Sequence, residues 1–430
     1  MKPFSKLLRF SLSAFVVLCT LVLSIPALAV TLVHYNYTGH GDDHARFVAA
    51  RAEAFMRDHP DIQIEIISNA GSDYWEKLLT MEAGGVPPDV LELYPAMAPP
   101  FIEGGVVRDL GPFVERDPEI SLDAYVPVTV EGFTWHETLW GLPSSTFQIL
   151  TFYNADMFDR FGHATPAELG SDWTWERLIE VGKDFTLDPD GDGIPSQWGV
   201  RAYGDLFRWW IFVHQAGGRL FDRFTDPTTA TFTTEEARLG LQFFVDLFHT
   251  HGIATTDINA FYEGKVGIDI VDGPSLFAIL PNNVGDTFRW DIAELPKGPD
   301  NNGTMVFLNG FQIGAGSRHT EEAWLWLKYL VGEESMREYI QTTGRTPALK
   351  SLLPEYVRHL PQPPANLVAA GDAILNPATT TPYFTVAATE IRGMANPLTQ
   401  QAMAGAVSVT EVLEQIHQFA NQRLTEARTR

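Results

Sequence analysis

Cysteine is almost missing from this chain: one occurs in 430 residues, Cys19. It lies inside an apolar N-terminal stretch, so disulfides, thiol catalysis and thiolate metal sites are excluded from everything after it. Basic residues are also scarce. Thirty Lys and Arg face 54 Asp and Glu, a formal net charge of −24. Such a surface repels nucleic acid and anionic lipid, and it disfavours an anionic substrate. Beyond residue 29 no apolar run reaches the roughly 20 residues that a membrane helix needs. The sequence has no Gly-x-Ser-x-Gly elbow, no Walker loop and no dinucleotide glycine pattern. It also lacks an internal repeat and a low-complexity tract.

The first 29 residues read as a secretory signal. Lys2, Lys6 and Arg9 precede an apolar run from Phe10 to Ile25, and Ala27-Leu28-Ala29 is a small-x-small cleavage site. Val16-Val17-Leu18 before Cys19 does not form a lipoprotein box, so no lipid anchor is expected. Cleavage after Ala29 would leave 401 of the 430 residues, and losing Lys2, Lys6 and Arg9 takes the charge from −24 to −27. With 45% hydrophobic residues and 12% aromatics, the mature chain can bury the cores of two ordinary domains. An exported, extracytoplasmic location follows.

Periodicity then predicts alternating elements. Strands are expected at Thr31–Tyr35, Ile62–Ile66, Pro88–Leu93, Gln148–Tyr153 and Val266–Val271. Helices are expected at Ala45–His59, Tyr74–Ala83, Trp175–Phe185 (capped by Thr174), Leu206–Ala216, Thr234–His249, Glu321–Val331, Ser335–Thr342 and Thr410–Arg428. Strand and helix alternate throughout, which predicts an α/β protein with parallel sheet covered by helices. The absence of one obvious linker suits two lobes that the chain crosses more than once.

Several segments, in order, resemble the carbohydrate-binding solute-binding proteins of ABC transporters, the group that includes maltose-binding protein. They are Asp73-Tyr74-Trp75-Glu76-Lys77-Leu78-Leu79, Gly84-Gly85-Val86-Pro87-Pro88-Asp89-Val90, Leu139-Trp140-Gly141-Leu142-Pro143 with Phe152-Tyr153-Asn154-Ala155-Asp156-Met157-Phe158, Trp173-Thr174-Trp175-Glu176-Arg177-Leu178, Gly264-Lys265-Val266-Gly267, Asp272-Gly273-Pro274, Ala323 to Leu330, and Thr343-Gly344-Arg345-Thr346-Pro347-Ala348. The resemblance spans the mature chain. It implies a two-lobed periplasmic-binding-protein fold, joined by a multi-crossing hinge, with the ligand in the cleft. It places one lobe at 30–145 plus about 310–355 and the other at 146–309 plus about 356–430, with crossings near Ser144–Gln148 and Leu308–Gln312. Hinge closure on a sugar, docking on the transmembrane subunits of an ABC permease, and a monomer without catalytic groups are expected.

A sugar cleft needs flat aromatic faces and polar forks. Tyr37 and Tyr94 follow strands at the end where such sheets bind ligands. The resemblance adds Asp205, Phe207 and Trp210 from one segment, and Tyr383 and Phe384 from a Thr-rich loop. Asp272, Asn309 and Phe311 are further cleft candidates. Arg345 either reaches the ligand or ties the lobes together. Ser145 lies in Ser144-Ser145-Thr146, where many relatives carry an acid, and Ser275 stands where many carry Trp.

Asp188, Asp190 and Asp192 with Gly193 match the first half of a Ca²⁺ loop, to which Ile194 could add a carbonyl. Gly199 occupies the place of the usual closing Glu, so either a structural Ca²⁺ or an acidic turn fits. No cofactor is required. His34, His40 and His44 cluster with Asp42 and Asp43 but match no zinc spacing. The expected function is sugar capture for an ABC importer. The alternatives are a glycerol-3-phosphate or glycerophosphodiester binder on the same scaffold, which needs cleft bases, and a secreted glycosidase with paired carboxylates.

Overall fold

The computed structural model describes residues 29–359 and 363–428. Cys19 and all of the expected signal except Ala29 lie outside the described residues. Two sheets organise the rest. The first has six strands, ordered Thr346–Pro347, Leu142–Gln148, Val306–Ile313, Val90–Leu91, Val30–Tyr37 and Ile62–Asn69. The second has five, ordered Trp290–Ala293, Thr151–Asn154, Val266–Asp269, Trp198–Arg201 and Ala254–Thr255. A small hairpin joins Thr134–Trp135 to Thr138–Leu139.

The first βαβ rhythm is realised as parallel pairing. Val30 lies opposite Ile62 and Tyr37 opposite Asn69, while His34 and Tyr35 pair with Val90 and Leu91 on the other side. Helices Asp42–Asp58 and Gly71–Ala83 make the connections. Asp42 and Asp43 open the first of these helices, where carboxylates favour the helix dipole. Thr174 caps Trp175–Phe185 as its sequence suggests, its hydroxyl accepting from the Arg177 N–H at 3.3 Å.

The single strand expected over Gln148–Tyr153 is a crossing. Gln148 ends a strand of the first sheet and Thr151 starts one of the second. Ile149 and Leu150, both fully buried, carry the chain between them. Their amides leave the ladder and donate to Met305 O (3.1 Å) and Asp272 O (2.9 Å), so the buried backbone stays satisfied. Apolarity alone could not distinguish this crossing from a strand. A second crossing lies between Ala293 and Val306, and a third follows Pro347. The last two run side by side, since Val306 N donates to Thr380 O and Thr380 N to Thr304 O. Around the hinge, Leu142–Gln148 and Val306–Ile313 form an antiparallel pair that extends to Gln148 opposite Val306, with a bulge between Asn309 and Gly310.

The interior divides into two large buried clusters, the first of which also takes in Phe152, Trp290 and Ile292 from strands of the second sheet. Leu32, Phe55, Trp140 and Trp326 belong to the first, and Trp209, Phe212, Phe244 and Ile416 to the second. The closing helices Ala388–Met403 and Val409–Arg428 pack on the second core through Ile391, Leu398, Val412 and Ile416. Among the described residues no helix is long and apolar enough to cross a membrane.

Candidate functional site

The strand Val30–Tyr37 delivers Tyr37 to the edge of the first lobe. Its ring meets Tyr74 edge-on at 5.0 Å and lies 5.7 Å from Trp75 and 5.9 Å from Tyr94. Gly39 allows this placement, because a β-carbon there would sit 2.3 Å from the Tyr37 ring. Tyr37, Trp75 and Tyr94 are all partly buried and form one aromatic wall.

Behind that wall is a buried ionic cluster centred on Glu92. His34 Nε2 and His44 Nε2 lie 3.1 and 2.9 Å from its two carboxylate oxygens, and the Tyr37 N–H donates to it at 3.3 Å. Trp326 Nε1, a donor only, bonds to His34 Nδ1 at 3.0 Å, which fixes the His34 proton on Nε2. Burial alone would raise the Glu92 pKa. The His44 charge and the two histidine hydrogen bonds outweigh it and hold the carboxyl well below the usual range. Burial likewise opposes the His44 proton, but Glu92 lifts that pKa to about 9. The histidines noticed in the sequence therefore gather on Glu92 rather than on Asp42 or Asp43. Arg345 is buried beside them, donating to the Tyr339 hydroxyl at 2.8 Å and to the His40 carbonyl. Both partners belong to the first lobe, so Arg345 braces the Tyr37–Gly41 turn instead of tying the lobes together.

The opposing wall comes from the second lobe. Asp205 caps helix Leu206–Gln215 through the Phe207 N–H at 3.0 Å, and it also accepts from Arg392 Nε and Asn396 Nδ2, both at 2.8 Å. The Arg392 guanidinium covers the Phe207 ring at 4.9 Å. Across the seam, Arg392 lies close enough for its charge to act on the Tyr94 phenol, although burial dominates there and raises that pKa to about 12. The helix that carries Arg392 touches the first lobe where Thr389 Oγ1 meets Met97 Sδ at 3.2 Å. The floor holds Tyr203, Arg208 and Phe307. Arg208 Nε donates to the Tyr203 hydroxyl at 2.9 Å, and its guanidinium lies 4.7 Å from the Phe307 ring centre.

Other expected site residues lie in less open settings. Trp210 is 2% exposed and stacks on Tyr383 at 4.3 Å and 3°; each ring covers the other's face. Phe384 is buried against Phe224 and near Gly132. Phe311 is 1% exposed and packs on His34 and His44 in the first core. Ser145 is fully buried and accepts from Asn309 Nδ2 at 3.2 Å across the hinge pair. Asp272 and Asp269 share Arg201. Asp269 is fully buried, and burial together with Asp272 raises its carboxyl to about 7. Sequence reasoning missed Trp75 as part of the wall, together with Tyr203, Arg208, Phe307 and Arg392. Tyr203 had a signal, since it follows the strand Trp198–Arg201 at its ligand-facing end. Arg392 had none.

The acidic loop belongs to the second lobe, between helix Trp175–Phe185 and strand Trp198–Arg201. Carboxylate oxygens of Asp188, Asp190 and Asp192 lie within 4.8 Å of one another, all exposed. Asp188 accepts from the Gly191 and Gly193 amides at 3.0 Å, and the Ile194 N–H donates to Asp192 at 2.8 Å.

A family model for bacterial extracellular solute-binding proteins matches residues 41–337. The chain belongs to that family. This solute-binding protein is 24% identical over 324 residues to an uncharacterized lipoprotein in the oleD 5′ region of Streptomyces antibioticus, which covers 70% of this chain and 68% of that protein. Its fold is similar to that of an ABC substrate-binding protein from Listeria monocytogenes in complex with cycloalternan (TM-score 0.79, 21% identity, 92% of this chain and 99% of that one). It is also similar to that of the sugar-binding protein MalE from Xanthomonas citri (TM-score 0.79, 18% identity, 93% and 98%). The fold is thus the two-lobed α/β fold of solute-binding proteins, with a hinge crossed more than once.

Proposed function

We propose that this protein is the exported substrate-binding component of an ABC importer. It captures a neutral sugar or short oligosaccharide between its lobes, closes on it by hinge motion, and presents the closed form to the permease transmembrane subunits. The observation that carries this reading is the seam itself. Tyr37, Trp75 and Tyr94 form an aromatic wall, the Arg392 charge reaches Tyr94 from the second lobe, and Arg392 and Arg201 are matched by carboxylates. Rings suit the apolar faces of a sugar, and polar edges suit its hydroxyls. The similar proteins named for sugars and for cycloalternan support the ligand class.

The phosphate alternative fits less well, because Arg392 is paired with Asp205, and Arg201 with Asp269 and Asp272. The hydrolase alternative fits less well for the same reason. Asp205 and Asp272 are each bound to an arginine, and Asp269 is sealed in the core. We take residues 1–29 as a cleaved signal, the mature protein as a monomer, and the lobes as divided near the limits read from the sequence. The Asp188–Gly193 loop is proposed as a structural Ca²⁺ site held by Asp188, Asp190 and Asp192, with the Ile194 carbonyl as a further donor.

Titration calorimetry of the mature chain against mono-, di- and trisaccharides, glycerol-3-phosphate and Ca²⁺ tests the whole reading. Saturable binding of one neutral sugar without turnover is expected. A response confined to glycerol phosphates, or release of free monosaccharide from an oligosaccharide, would sink it. Heat on Ca²⁺ addition that disappears in Asp190→Asn is expected for the loop; no heat would reduce the loop to an acidic turn.

A further inference from the structure

Arg208 is the exception to the pairing of the seam. Its Nε is engaged with the Tyr203 hydroxyl, but its Nη groups have no acceptor among the described residues. Its guanidinium carbon lies 4.7 Å from the Phe307 ring centre and 5.5 Å from that of Tyr203. Tyr203 in turn is faced by Arg201, also at 5.5 Å. Phe307 belongs to the hinge strand and Arg208 to the second lobe, so the unfilled fork sits on the floor where the lobes meet. A fixed guanidinium with both Nη groups open is a planar two-pronged donor for two neighbouring oxygens.

Local charge decides which oxygens these are. Arg392 is matched by Asp205, whereas Arg201 has two carboxylates, Asp269 and Asp272. The Asp272 charge reaches the Tyr203 phenol, to which Arg208 is bonded. Arg392 and Arg201 are therefore each matched by a carboxylate, Asp205 and Asp272, and the Asp272 charge also bears on the ring beside Arg208. An anion entering the seam would meet Asp272 as well as Arg208, whereas neutral hydroxyls accept from the fork without that repulsion.

We propose that Arg208 is the specificity-determining anchor of the cleft, its two Nη groups donating to two adjacent hydroxyl oxygens of a neutral sugar ring laid against the Tyr37–Trp75–Tyr94 wall. This assignment rests on the sugar-binding reading above and adds to it the point of recognition and the exclusion of acidic sugars.

The test uses the full mature chain and the sugar that binds best in the panel. Arg208→Lys keeps the charge and loses the fork; Arg208→Gln keeps two N–H donors and loses the charge. Each should weaken binding by about tenfold to a hundredfold, with unchanged circular dichroism and melting temperature showing that the fold persists. Deoxy analogues lacking either of two adjacent hydroxyls should bind the wild type more weakly by a similar factor and lose little further on Arg208→Lys. The uronic acid and phosphorylated forms of the same sugar should bind no better than the neutral form. Wild-type affinity in both variants overturns the assignment. Tighter binding of the acidic forms, abolished in Arg208→Gln, makes Arg208 an anion anchor and overturns the neutral specificity while keeping sugar binding. Silence of the wild type toward every sugar overturns the sugar reading itself, and this assignment falls with it.

Discussion

Glu92 illustrates how one residue can support a site it does not enter. It holds His34 and His44 on its oxygens and pins the Tyr37 amide, so the first aromatic of the wall inherits its position from a buried carboxylate. The cluster should be visible in stability against pH. His44 has a folded value near 9 against about 6.5 for an ordinary histidine. Its contribution is whole below about pH 6.5 and is lost as pH rises through 9. Glu92 contributes above its ordinary value and loses that contribution as pH falls. His40 is pushed well below its ordinary value, by burial first and the His44 charge second, and so adds to the acid loss. Denaturant titrations should show unfolding free energy falling by up to about 3 kcal/mol between pH 6.5 and 9.5, and His44→Gln should flatten that limb. An unchanged limb in the variant would show that the pair contributes nothing. Aromatics divide in the same residue-by-residue way. Trp210→Ala should cost about 3–5 kcal/mol of stability, because its ring is closed in the Tyr383 stack. Tyr37→Ala should mainly lower sugar affinity, as titration calorimetry on both variants would distinguish.

Among the elements, the hairpin turn stands out for its backbone. His136 and Glu137 have φ of 45° and 67°, and Asp226 has 46°. A two-residue turn with both centres left-handed favours Asn-Gly, and β-carbons are strained there. The double change His136→Asn with Glu137→Gly should raise stability by about 1 kcal/mol in urea titrations; a loss would mean that the side chains hold the turn. Helix Leu206–Gln215 shows the opposite economy, one residue serving several ends. Asp205 caps it and also receives Arg392 and Asn396 from helix Ala388–Met403. Asp205→Ala should therefore exceed the roughly 1 kcal/mol of a lost cap and loosen the wall that Arg392 builds.

At the scale of the whole molecule, the lobes also meet at their rim, where His136 Nε2 of the first lies 3.8 Å from Asp226 Oδ2 of the second. His136 is exposed and Asp226 partly so, and such a pair contributes little. His136→Ala should change ligand affinity less than twofold, in contrast to the floor. The −24 charge gives a second whole-molecule expectation. For a neutral ligand, affinity should stay flat between about 0.05 and 0.5 M salt, whereas an anionic ligand would show a marked salt dependence.

Periodicity along the chain determined much of this protein. The 3.6-residue recurrence of Phe47, Val48 and Phe55 and the alternation in Ile62–Ile66 depend only on neighbours, so the α/β rhythm is legible in the amino-acid order itself. So are the ends of strands where Tyr37 and Tyr94 emerge, and the Thr174 cap, because a strand end or a cap is a local event. Tertiary structure alone decided what faces what. Gln148–Tyr153 is apolar over most of its length, and only packing between two sheets makes Ile149 and Leu150 a crossing. Trp209 and Trp210 look equivalent in sequence; Trp209 enters the core and Trp210 finds Tyr383. Arg392 meets Asp205, and His44 meets Glu92, over separations of 187 and 48 residues. Ion pairing depends on distance in space, and no local pattern encodes that distance.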